Sequence, residues 1–207
     1  QLSQSQLAKA VFPLGELRKD QVRSIARKHG LAVAEKKESQ EICFIPDGDY
    51  ASFIARHCDA ILDSASGTTS FAAGPIVDRS GRVLGTHLGI HRYTVGQRRG
   101  LGVAHTAPLY VLEICPGENR IVVGERSELG GRRCRVVRPN WIAIPSLTEP
   151  LHVRAKIRSR HREAPAVIAP RADGDVEVLF EEPQPAITPG QACVFYQGMT
   201  VVGGGWI

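Results

Sequence analysis

The sequence predicts a mixed α+β protein that is mostly β: a helical start, a small α+β middle and a C-terminal β-barrel. Three observations predict it. Apolar residues recur at helical spacing near the start, at Leu17, Val22, Ile25 and Ala26. After about residue 70 the period changes to two. From about Ser127 onward, short strand-like runs follow one another at close spacing, the pattern of a small closed barrel. The chain has 207 residues, 43% hydrophobic and 23% charged. That is enough for one large domain or two to three small ones.

Taken in order, the first helix has Lys28 and His29 in its last turn and Gly30 as a stop. Leu31-Ala32-Val33 reads as a short strand. Asp47 or Asp49 is placed to cap a second helix with Tyr50, Phe53, Ile54 and His57 on one face. The small polar stretch 63–70 marks a boundary. Pro75-Ile76-Val77 and Arg82-Val83-Leu84 flank Asp78-Arg79-Ser80-Gly81, and Leu109–Ile114 and Arg120–Gly124 flank Pro116-Gly117-Glu118-Asn119. Both read as hairpins. The late strands are expected at 133–138, 151–160, 164–169, 175–180, 192–196 and 200–206, with turns at Asp173-Gly174, Pro189-Gly190 and Gln197-Gly198. The expected domains are 1–62, 63–126 and 127–207. The first residue is Gln1 rather than Met, and the opening reads like the inside of an element, so a longer parent protein is expected.

No apolar run approaches the roughly 18 to 20 residues of a membrane helix, and no membrane partner is expected. Five cysteines, at 43, 58, 115, 134 and 193, lack any C-x-x-C pair. That argues against a disulfide framework and a zinc site, and for a reducing, cytoplasmic compartment. Between Arg79 and Arg162 there are sixteen Lys/Arg against five Glu; from Arg171 onward there is one Arg against five Asp/Glu. A basic middle with an acidic tail points to a polyanionic partner.

Arg154, Lys156, Arg158, Arg160 and Arg162 all fall on even positions. In a strand they line one face, about 6.6 Å apart, with Val153, Ala155 and Ile157 on the other. Such a face suits phosphates. Gly96-Gln97-Arg98-Arg99-Gly100-Leu101-Gly102 lacks the G-K-[ST] ending of a P-loop. Its arginines can still hold phosphate, and Gln97 can read a base edge. His87, His91 and His105 read as surface or turn residues, with no metal pattern around them. Cys43, between Ile42 and Phe44, reads either as a buried small hydrophobe or as a thiolate. Lys36 and Lys37 would favour the thiolate, but Glu38 and Glu41 offset them.

Several segments together resemble one family. These are Pro13-Leu14-Gly15-Glu16-Leu17, Lys37-Glu38-Ser39-Gln40-Glu41-Ile42-Cys43-Phe44-Ile45, Tyr93 through Gly102, Ile187 through Tyr196, and Gly203-Gly204-Gly205-Trp206-Ile207. In this order they resemble the bacterial tRNA-specific 2-thiouridylases. The resemblance implies the end of an α/β catalytic domain, a central domain and a tRNA-binding barrel. It implies an ATP-dependent sulfurtransferase acting on the wobble uridine of tRNAs for Lys, Glu and Gln. Cys43 matches the persulfide-carrying cysteine. Arg158-Ser159-Arg160 and Gln191 match tRNA-contacting positions, joined by Gln97, Arg98, Arg99, Arg154 and Lys156 from the charge pattern. A cysteine desulfurase or relay protein is the implied sulfur donor. ATP, with Mg if any metal, belongs mainly to an N-terminal part with a Ser-Gly-Gly-x-Asp-Ser loop and a first catalytic cysteine, both absent from this sequence. The chain alone is therefore expected to be inactive. Ser159 stands where the family commonly has an aromatic. The alternative is a non-catalytic RNA-binding module with a translation-factor-like barrel.

Overall fold

The computed structural model describes residues 2–36, 45, 52–54 and 71–207. The chain divides into two compact units, Leu2–His57 and Cys58–Ile207.

In the first unit, α1 (Gln4–Leu7) starts on a capping box: Gln6 N–H donates to Ser3 Oγ, and Ser3 N–H donates to Gln6 Oε1. α2 (Lys19–Lys28) carries Asp20 in its first turn and Arg27 and Lys28 in its last, matching the helix dipole. It ends as expected at Gly30, φ +65°. Gly30 N–H reaches Arg27 O and Leu31 N–H reaches Ala26 O, the paired bonds of a Schellman stop. Leu31-Ala32-Val33 is not a strand. Ala34 N–H to Leu31 O and Lys36 N–H to Val33 O wind this segment into consecutive turns. The local bonds satisfy the backbone without a strand partner. Ser52-Phe53-Ile54 are helical; Asp47, Asp49, Tyr50 and His57 lie outside the described residues.

The second unit holds two sheets. β1 (Gly74–Val77), β2 (Val83–His87), β3 (Tyr110–Cys115) and β4 (Arg120–Gly124) form a mixed sheet in the order β2-β1-β4-β3. Both expected hairpins are present, and β1 and β4 join them in parallel. Asp78 Oδ1 accepts from Ser80 and Arg82 N–H and shapes the first hairpin turn. Ile76, Val111, Ile121 and Val123 fill the core of this sheet.

The barrel is closed, in the order β10-β5-β8-β7-β6-β9. Its strands are β5 (Gly130–Trp141), β6 (Leu151–Lys156), β7 (Ala164–Pro170), β8 (Val176–Pro185), β9 (Ala192–Gln197) and β10 (Thr200–Trp206). Alternate residues point inward, and Val136, Val153, Ala155, Ile168, Val178, Phe180 and Phe195 close the core. Closure leaves no sheet edge to guard. One boundary differs in a way that matters. β6 stops at Lys156, so Arg158, Arg160 and Arg162 do not extend a five-cation strand face. Ladder pairing ends at Ala155–Ala164, and the chain turns back at Arg158 with His161 N–H on Arg158 O.

Candidate nucleic-acid interface

The turn after Tyr93 is built by its own backbone and one side chain. Gly96 N–H donates to Val111 O and Val111 N–H to Gln97 O, which pins the turn to β3. Gln97 Oε1 accepts from Thr94 N–H at 3.0 Å, and Gln97 Nε2 donates to Arg99 O at 2.9 Å. Both ends of the Gln97 amide are thus engaged within the turn. Its role in the structure is to hold the turn's shape. The arginines it presents, Arg98 and Arg99, are exposed, and their guanidinium groups make no hydrogen bond or ion pair among the described residues.

The second basic element is the β6–β7 turn. Ile157, 1% exposed, plugs into the barrel core and fixes where the turn leaves β6. Arg154 is held by Glu163, with Nε to Oε1 at 2.8 Å and Nη2 to the Glu163 carbonyl at 2.9 Å. Its charge is therefore largely matched. Lys156, Arg160 and Arg162 have no acidic partner among the described residues. Arg158 extends toward β8 and its Nη2 lies 3.5 Å from Pro185 O.

Pro185 and Ala186 join these two turns. Ala186 adopts φ +51°, uncommon for a residue with a Cβ, and is held there by its N–H on Leu129 O and by Thr188 Oγ1 on its carbonyl. On its far side lies Gly96, where an added Cβ would stand 2.8 Å from the Ala186 Cβ. So Pro185 touches the Arg158 guanidinium while its neighbour Ala186 abuts the Gly96 turn. The Arg98-Arg99 pair and the 156–162 tip, some sixty residues apart, converge on one segment.

Elsewhere several cations of the basic middle are neutralised. Arg135 pairs with Asp173 and Asp175, Arg133 with Glu177, and Arg171 with Asp173 and Glu177. The acidic tail thus offsets Arg133 and Arg135 on the β5–β8 wall, while Arg126 and Arg132, like the two turns, have no acidic partner among the described residues. Gln191 is exposed, and its backbone helps close the chain end by accepting from Ile207 N–H. Ser159 is exposed in the turn.

His87 corrects an expectation: it is fully buried on β2. Nδ1 accepts from Gly89 N–H at 3.1 Å, so Nε2 carries the proton and donates to Asn119 O at 2.9 Å. His105 is exposed, and His91 is half-buried against Phe71. Among the described residues no group of three or more His, Cys, Asp or Glu is placed to hold a metal ion. Cys43 and Cys58 lie outside the described residues. Cys115, Cys134 and Cys193 are free thiols. Inside the barrel the Cys134 and Cys193 thiols share a hydrogen bond, which holds Cys134 below the ordinary thiol range and, with burial, pushes Cys193 up.

Comparison with known proteins places this geometry. Three family models tile the chain: a tRNA methyl transferase HUP domain over 1–47, a tRNA methyl transferase PRC-barrel domain over 66–125, and an aminomethyltransferase beta-barrel domain over 131–207. The tRNA-specific 2-thiouridylase MnmA of Koribacter versatilis is 50% identical over 206 residues, covering all of this chain and 55% of the relative. The chain belongs to the tRNA-specific 2-thiouridylase family. The 2-thiouridylase of Acidobacterium capsulatum is also 50% identical, over 210 residues, and that of Magnetococcus marinus 45% over 203. The chain spans about half the length of these 2-thiouridylases, 55% and 54% respectively.

Proposed function

We propose that this chain is the tRNA-holding and sulfur-carrying portion of a tRNA-uridine 2-sulfurtransferase that thiolates the wobble uridine. The observation that carries the reading is the convergence of two unneutralised basic turns, 98–99 and 156–162, on Pro185-Ala186. Arginines free of acidic partners are suited to phosphate, and their fixed turns set the register of a bound backbone. Gln97 acts by bracing one turn, and Arg154 by bracing the other.

Among the described residues, the glycine-rich 96–102 turn does not fit ATP. The Gly96–Gly102 turn spends its Gly96 and Gln97 N–H groups on Val111 and Thr94 carbonyls, and no Ser-Gly-Gly-x-Asp-Ser loop occurs in the sequence. Activation of the uridine therefore belongs to a part of the enzyme beyond this chain, and the chain alone does not turn over. Cys43 is the carrier of the transferable sulfur. The terminal sulfur of a Cys43 persulfide attacks C2 of the activated uridine and the C2 oxygen leaves with its activating group; a second thiol then attacks Cys43's sulfur, breaking the S–S bond, forming a disulfide and leaving the terminal sulfur on the base. That second thiol also lies beyond this chain. A cysteine desulfurase or relay protein reloads Cys43, after reductant restores the thiol, in the cytoplasm.

The test is wobble thiolation in cells whose full-length enzyme carries Cys43→Ser, read by mass spectrometry of tRNA nucleosides. Loss of 2-thiouridine with tRNA binding retained is expected. Normal 2-thiouridine would return Cys43 to a packing role and favour the non-catalytic RNA-binding module.

A further inference from the structure

The outer wall of the barrel carries two adjoining cavities beside the 156–162 turn. One, of about 540 Å³, is lined by Arg154, Lys156, His161, Arg162, Glu163 and Tyr196. The other, of about 410 Å³, includes His152, Arg154, Pro165, Tyr196 and Gln197. They share Arg154 and Tyr196, which face each other in register across β6 and β9. Phe195 and Ala155 point into the core, so alternation sends Tyr196 and Arg154 outward to form the ridge between the cavities. The Tyr196 hydroxyl has no hydrogen bond among the described residues. Arg154 is immobilised by its two bonds to Glu163.

On the other rim stand Lys156 and Arg162, both without an acidic partner. His161 lines the same cavity, and its Nδ1 is buried without a hydrogen-bond partner. Burial, aided by the charges of Arg158 and Lys156 and opposed by a backbone contact to Arg162, holds this imidazole below its ordinary range, so it is uncharged at neutral pH. An aromatic side chain, two unmatched cations and an uncharged imidazole therefore line a single groove. A patch for an acidic peptide needs only the cations. The Tyr196 ring and the His161 imidazole add what a nucleobase needs: a stacking face and a polar edge partner.

We propose that this groove takes one unstacked nucleotide of the bound RNA, its base on the Tyr196 ring and its phosphate between Lys156 and Arg162. The inference rests on the RNA-holding reading above and adds Tyr196 and His161 to it. It also answers Ser159, which offers no ring: in this chain the stacking surface sits on β9 rather than in the turn.

The test measures binding of a tRNA transcript and of a hexauridylate to the chain by fluorescence anisotropy at two salt concentrations. Tyr196→Leu is expected to weaken both ligands roughly 5- to 150-fold with the salt slope unchanged, because stacking releases no counterions. Tyr196→Phe is expected to keep wild-type affinity. Ultraviolet crosslinks from RNA carrying 5-iodouridine are expected on the peptide containing Tyr196, which reads the contact without a variant. Wild-type affinity in a folded Tyr196→Leu protein, or crosslinks confined to other peptides, would overturn the groove while leaving the RNA reading intact. Competition by polyglutamate equal to that by hexauridylate would make it an acidic-peptide site and overturn it as well. Absence of tRNA binding by the wild-type chain would instead remove the reading on which the groove rests.

Discussion

Gly96→Ala tests whether the two basic turns are mechanically joined. Gly96 sits at φ +88°, where an L-residue costs about 1–2 kcal/mol. The new methyl would also stand 2.8 Å from the Ala186 Cβ, well inside contact distance, and overpacking of this kind adds about 1–3 kcal/mol. The single substitution should therefore cost about 2–5 kcal/mol. Ala186→Gly removes the opposing Cβ and relieves the strain of φ +51°, while raising backbone entropy, so it should be near neutral. The double variant keeps the φ penalty but loses the clash, leaving about 1–2 kcal/mol. A urea-unfolding cycle on the four proteins reads this as a coupling of about 1–3 kcal/mol. In the folded single variant, tRNA affinity should fall because the Arg98-Arg99 turn is displaced from Pro185-Ala186, and it should recover in the double variant. Strict additivity in the cycle would refute the contact. Unchanged tRNA affinity in a destabilised Gly96→Ala protein would refute its role in setting the surface.

Three further outcomes follow from particular side chains. His87→Leu leaves Gly89 N–H and Asn119 O without their buried partner and should lower stability by about 2–6 kcal/mol, counted as about 1–3 kcal/mol for each group left unsatisfied and measured by urea unfolding. His161 has a folded value below its ordinary 6.5, so the unfolded chain binds more protons as pH falls below that point. Stability should then drop on acidification below about pH 6.5, and His161→Gln should flatten that limb of a thermal-melt pH series; an unchanged limb would show that the imidazole is not held neutral. Arg135→Ala unlocks Asp173 and Asp175 from an exposed ion-pair cluster and should change stability by less than about 1 kcal/mol, with tRNA affinity raised little or not at all.

Much of this architecture was legible because its signals are local. Asp78 through Gly81 and Pro116 through Asn119 announced both hairpins, and Asp173-Gly174, Pro189-Gly190 and Gln197-Gly198 separated the barrel strands where Gly174, Gly190 and Gly198 take positive φ. The parallel pairing of β1 with β4 was not legible, since it joins distant segments through packing alone. The end of β6 was hidden for another reason. Arginine alternates with aliphatic residues up to Ile157, and the turn beyond it contains neither Gly nor Pro to mark it. The burial of His87 depends on Gly89 and Asn119, and nothing in the spacing of three histidines pointed to them. The candidate site was half visible. Composition marked the basic middle, but which arginines stay unpaired was decided by Asp173, Asp175, Glu177 and Glu163, contacts that register creates. Tyr196 carried no signal until β9 was set beside β6.

The most direct measurement is the dissociation constant of a tRNA transcript for this chain as a function of salt, in wild type and in a variant with Arg158→Glu and Arg160→Glu. Each phosphate contact contributes about 0.9 to the slope of log affinity against log salt on a duplex, so losing two should lower the slope by roughly 2 and weaken binding. The matched control, Arg133→Glu with Arg171→Glu on the neutralised wall, should keep the wild-type slope. Equal slopes in all three proteins would contradict the claim that the unpaired turns, and not the basic middle at large, hold the RNA.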